Sequence, residues 1–83
     1  MANEIIYKNL EAELIRATIN KADLAANCGI ALVTLRNKLS GKSEFTLAEI
    51  CAIQSELQRL TDKTFTIDYL FVEDYLAKAG EDY

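Results

Sequence analysis

The sequence predicts an all-α protein: a single compact bundle of four or five short helices. Three observations predict it. The 83 residues contain no proline and three glycines, too few turn residues for a sandwich or barrel of many short strands. Apolar residues recur at spacings of three and four, the period of a helix with one buried face. Two polar capping residues, Asn20 and Thr46, stand ahead of such apolar runs and mark helix starts. The length fits one domain, residues 1–83, with a core over about 5–60, a C-terminal helical segment over 67–79 and an acidic tail over 80–83. A chain of this size buries only about 60% of the surface its unfolded form exposes, so a partner subunit would add stability.

The first helix is expected over Glu4 to Ile19, with Ile6, Leu10, Leu14 and Ala17 in one stripe and Lys8, Glu11, Glu13 and Arg16 facing mostly away from it. Asn20 caps a second helix over Lys21 to Asn27, with Asp23 placed for an approximate capping box. Leu24, Ala25 and Cys28 should point inward. Gly29 ends this helix, because glycine tolerates the left-handed conformation found at helix ends, and Ile30 seals the turn. The third helix runs from Leu32 to Leu39 with Leu35 and Leu39 inward, which sets Val33, Arg36, Asn37 and Ser40 on the other side. Ser40-Gly41 closes it. Thr46 and Glu49 form a full capping box, and Phe45 and Ile50 the matching hydrophobic staple. The fourth helix should reach Leu60 and bury Leu47, Ile50, Ile53 or Gln54, Leu57 and Leu60. A polar connection, Thr61 to Thr66, leads to a last helical segment with Leu70, Phe71, Tyr75 and Leu76 apolar, and Gly80 to Tyr83 should fray.

The net charge is −4. Residues 1–64 hold eight basic and eight acidic groups, so the excess acid belongs to the C-terminal segment. Arg36, Lys38 and Lys42 cluster with no acid between them, and local field matters more for docking than total charge. Two cysteines, Cys28 and Cys51, and no histidine leave a zinc site short of ligands. Both thiols are expected reduced and packed in the core. The N-terminus does not read as a secretory signal, and no stretch approaches the roughly 20 apolar residues of a membrane span. The compartment is therefore expected to be the cytoplasm; Met1 and the fraying end suggest a complete small protein, with a fragment of something longer as the alternative. Enzyme chemistry is not expected. Histidine is absent as acid or base, no phosphate-binding loop occurs, a cysteine nucleophile would lack its base, and Glu11 and Glu13 point about 200° apart on a helix.

Two short helices around a glycine turn make a helix-turn-helix pattern, here from about Asn20 to Leu39. The small Ala25, four residues before Gly29, lets the two helices cross closely, and Leu24, Ile30 and Leu35 anchor them. The stretch Leu24-Ala25-x-x-Cys28-Gly29-Ile30-x-x-x-Thr34-Leu35-x-x-Lys38-Leu39-x-Gly41-Lys42 resembles the Cro/CI-type, lambda-repressor-like helix-turn-helix family. Phe45-Thr46-Leu47-x-Glu49-Ile50 resembles the start of the fourth helix in small phage and prophage repressors of that family. The resemblance covers about residues 5–60. It implies a helix bundle whose third helix enters the major groove, and a homodimer on a pseudo-palindromic DNA operator. It also implies repression by operator occupancy without a cofactor, in the cytoplasm of a bacterial host.

Carried over residue by residue, the resemblance makes Val33, Arg36 and Asn37 the base-reading face. Arg36 would take a guanine, Asn37 an adenine, and Val33 a thymine methyl. It makes Asn20, Lys21, Thr34, Lys38, Lys42 and Ser43 phosphate contacts. The sequence departs from the family pattern at Ala31, where a capping residue is usual, at Leu32 and Val33, where polar residues are usual, and at Lys21, where glutamine is common. Tyr69, Phe71, Val72, Tyr75 and Leu76 either finish the monomer core or form a dimer patch. The net charge and the Leu32-Val33 pair also fit a different class, a protein-interaction module of the same fold that has lost DNA binding, such as an antirepressor or a regulator's partner. An excision factor is a further alternative.

Overall fold

The computed structural model describes residues 6–72, and within them the chain is an all-α bundle without strands. Four helices, α1 (Lys8–Arg16), α2 (Lys21–Cys28), α3 (Leu32–Leu39) and α4 (Leu47–Thr61), are followed by a π-helical turn, α5 (Asp68–Val72). The core is built chiefly from Leu10, Leu14, Leu24, Leu35, Ile53, Leu57 and Leu70, one or two from each element. α2 packs on both α3 and α4, while α5 closes against α1.

α1 starts at Lys8 and stops at Arg16, three residues short of the expected end. The stop is a left-handed residue that is not glycine. Thr18 has φ 56°, and the amides of Thr18 and Ile19 turn back to the carbonyls of Ile15 (3.0 Å) and Leu14 (2.8 Å). Without a glycine, nothing in the sequence marked this end. A β-branched residue in that conformation is strained, by roughly 1–2 kcal/mol relative to glycine. Thr18→Gly is therefore expected to stabilise the protein by about 0.5–1 kcal/mol, less than the full strain because glycine also loosens the unfolded chain. A higher urea midpoint with an unchanged slope would show it.

Glu13 is buried, against the expectation that it faces away. Its carboxylate accepts from the Tyr69 hydroxyl (2.8 Å) and from Arg16 Nη1 (2.7 Å), which offsets its desolvation. That hydrogen bond to Glu13 pushes the Tyr69 phenol above its ordinary value. Asn9 Nδ2 donates to the Tyr69 carbonyl at 2.9 Å, so α1 holds α5 at two points.

α2 and α3 occupy the expected spans, with α2 one residue longer. Asn20 caps α2 through its side chain (2.7 Å from the Ala22 amide), but Asp23 is exposed and closes no box. Gly29 has φ 73°, with bonds from its amide to Ala26 O and from Ile30 to Ala25 O, the paired closure of a Schellman end. α4 begins with the full capping box, Thr46 Oγ1 accepting from the Glu49 amide and Glu49 Oε1 from the Thr46 amide.

Three expected burials fail, each for a geometric reason. Leu47 is 72% exposed because it lies about 120° around α4 from Ile53. Leu60 is in line with the stripe but overhangs the bundle beside Ala17, Thr18 and Ile19, and is 44% exposed. Cys51 lies on the outer side of α4 and is exposed. Cys28, half-buried, packs against the core as its inward direction predicts, and desolvation and then the charge of Glu56 push its thiol up. Conversely, Phe65 in the supposed polar connection is core. Two α4 glutamines pin its backbone: Gln54 Nε2 donates to the Phe65 carbonyl (2.7 Å), and Gln58 Oε1 accepts from its amide (3.0 Å).

Phe71 is a core residue, 4% exposed, and so is no part of an open dimer patch. Its ring meets Tyr7 and Phe45 edge to face, at centroid distances of 5.8 and 5.3 Å, and Tyr7 meets Phe45 at 5.4 Å. Tyr69 and Val72 are partly buried against the same core, and Tyr75 and Leu76 lie outside the described residues.

Candidate nucleic-acid interface

The site is built on the α2–turn–α3 pair. Ala25 is fully packed between helices, and Leu24 and Leu35 are buried completely. With Ile30 partly buried at the turn, this fixes which way α3 faces. Leu35 and Leu39 are inside, which leaves Val33 65% exposed and Arg36 exposed. Thr34 and Asn37 sit half-buried at the edges, and Leu32 is half-buried as well. The α3 N-terminus lacks a side-chain cap, as the alanine at position 31 dictates.

After α3 the chain turns tightly. The Asn37 carbonyl accepts from Ser40 Oγ (3.1 Å) and from the Lys42 amide (2.9 Å), and Gly41 takes φ 87° with the Ile6 side chain directly beneath it. Lys42 and Ser43 are left exposed on the turn, next to the α3 outer face. The Asn37 side-chain amide makes no hydrogen bond with a described residue.

Charge distribution separates these residues from the other cations. Residues 6–72 carry eight basic and eight acidic side chains, so the described bundle is neutral and the −4 comes from the segments outside it. Four cations are paired: Arg16 with Glu13, Lys21 with Glu11 (3.0 Å), Lys38 with Glu49, and Arg59 with Glu56. Arg36 and Lys42 form no ion pair with a described residue, and neither do Lys8 and Lys63. Only Arg36 and Lys42 among these share one helix and its following turn.

Lys38 does not belong to the exposed set. It is 9% exposed, and its ammonium reaches Glu49 Oε1, the same oxygen that accepts from the Thr46 amide at 2.8 Å. That Lys38 bond, and then the Thr46 backbone bond, hold the Glu49 carboxyl below its ordinary value. The lysine is a strut between α3 and α4. Its place three residues after Leu35 puts it at the edge of the buried side, a signal that the basic cluster masks in the sequence. Asn20 and Lys21 are likewise engaged within the protein, Asn20 as cap and Lys21 with Glu11. The structure thus brings together Val33, Arg36, Asn37, Lys42 and Ser43, and not Lys38.

Among the described residues, no cluster of three or more His, Cys, Asp or Glu could hold a metal ion, and no helix is long and apolar enough to cross a membrane. No family model, curated protein or solved structure matches the chain.

Proposed function

We propose that this protein is a sequence-specific, double-stranded DNA-binding transcriptional regulator. In this reading it is a lambda-repressor-like repressor of phage or prophage type that acts by occupying an operator, as a homodimer, without a cofactor, in a bacterial cytoplasm. α2 and α3 serve as the helix-turn-helix, and α3 lies in the major groove. One observation carries the reading. In a described bundle that is neutral and pairs half of its cations internally, Arg36 and Lys42 have no ion-pair partner among the described residues and stand on an exposed helix face and its adjoining turn, beside Asn37, whose side-chain amide has no described partner either. An unpaired guanidinium is suited to the two acceptors of guanine, an amide to adenine, and a lysine on a turn to a phosphate. Lys38, in this reading, contacts no phosphate.

The test is a fluorescence-anisotropy titration with mixed genomic duplex DNA at low and at higher salt, comparing wild type with an Arg36→Ala, Lys42→Ala double variant. Binding should weaken with salt by about 0.9 logarithmic units per tenfold salt for each phosphate neutralised. The double variant should bind more weakly with a shallower slope. Absence of binding at low salt sinks the reading.

Exposed Val33 and Leu47 favour a second reading, a protein-interaction module of the same fold, such as an antirepressor or a regulator's partner. Such an apolar contact would respond little to salt and would be lost on Val33→Asp.

A further inference from the structure

On the outer face of α3, Val33 is an exposed, β-branched, wholly apolar side chain. Arg36 stands one helical turn later on that face, without an acidic partner among the described residues. Resting on the DNA reading above, we infer that this pair reads a 5-methylpyrimidine close to a guanine: a thymine, or equally a cytosine methylated at C5, within two base-pair steps of the guanine that Arg36 holds. Valine has neither donor nor acceptor for a base edge. The apolar group that an unmodified base pair displays in the major groove is the C5 methyl of thymine. Residues three apart on a helix have Cβ atoms about 5–6 Å apart, and base pairs stack about 3.4 Å apart, which sets the two-step limit. A methyl on cytosine C5 occupies the same place as that of thymine. Cytosine methylation at this position therefore raises affinity, whereas a residue that reads hydrogen-bonding groups alone is indifferent to the methyl.

The experiment uses the full chain and random-sequence duplex DNA. Duplexes enriched by the wild type are resynthesised with each thymine in turn replaced by uracil, which removes only the methyl. A second set carries cytosine or 5-methylcytosine at the position where uracil weakens binding. The expected result is a preference of about four-fold for thymine over uracil, the worth of one methyl removed from water. The same preference should appear for 5-methylcytosine over cytosine, and both ratios should fall to about one in Val33→Ala. That variant keeps the helix, because alanine is the better helix former and Val33 is outside the core. Ratios of one in the wild type, or ratios that persist in Val33→Ala, overturn the inference. If enriched duplexes still lose affinity in Arg36→Ala, the DNA reading survives that failure. If no duplex is enriched even at low salt, both fall together.

Discussion

Phe71→Ala should lose about 3–5 kcal/mol of stability, the usual cost of emptying an aromatic site in a core. The ring is buried to 4% and forms one corner of the Tyr7–Phe45–Phe71 triangle, in which each pair packs edge to face. These three residues come from the approach to α1, the approach to α4 and α5, so the cavity would loosen three parts of the bundle at once. Domains are stable by roughly 0.05–0.15 kcal/mol per residue. For a chain of this length the loss is a large part of the whole, and a sizeable unfolded population is expected at room temperature. Urea unfolding followed by circular dichroism measures it. If Phe71 instead served only a surface patch, the variant would unfold within about 0.5 kcal/mol of the wild type.

The second large effect belongs to Lys38 and Glu49. Lys38→Met removes the ammonium but keeps an unbranched stem at this buried position, and should cost about 1–3 kcal/mol. The low end applies if water reaches the Glu49 carboxylate, which is 22% exposed. The sign of the pH dependence follows from Glu49. Its carboxyl is held below the ordinary value of 4.5 in the folded protein, first by the Lys38 bond and then by the Thr46 amide. The unfolded chain therefore binds the proton more readily. The stabilisation is fully present above pH 4.5 and is lost as pH falls through the lower folded value. Glu49→Gln should flatten this part of the acid limb in a series of urea midpoints. Glu56, lowered chiefly by its bond with Arg59, adds acid sensitivity of the same sign and should keep it in Glu49→Gln. Because Lys38 is a strut, Lys38→Met should leave the salt slope of DNA binding unchanged, unlike the Arg36→Ala, Lys42→Ala double variant. A slope that falls by about one on Lys38→Met would return Lys38 to the phosphate contacts.

The elements most legible in the sequence are those set by contacts within four or five residues. The span of α3, the left-handed Gly29 and the Thr46–Glu49 capping box all depend on such local bonds, and local chemistry is what residue spacing records. The outward direction of Val33 and Arg36 was legible for the same reason, since it follows from Leu35 and Leu39 by helical period alone. The α1 end was not legible, because Thr18 adopts a conformation that its residue type disfavours.

Other features were decided only when distant segments met. Glu13 is buried because Tyr69, 56 positions away, supplies the hydroxyl that satisfies it. Phe65 joins the core because two glutamines on α4 hold its backbone, a use of Gln54 and Gln58 that periodicity does not reveal. Lys38 leaves the basic cluster because Glu49, 11 residues on, serves both as helix cap and as its counter-ion. The sequence by itself determined where the helices of the α2–α3 pair lie and which face of α3 looks outward, because those are properties of neighbours along the chain. Which charges on that face remain free was decided by the tertiary structure, because pairing depends on what folding places within a few ångströms.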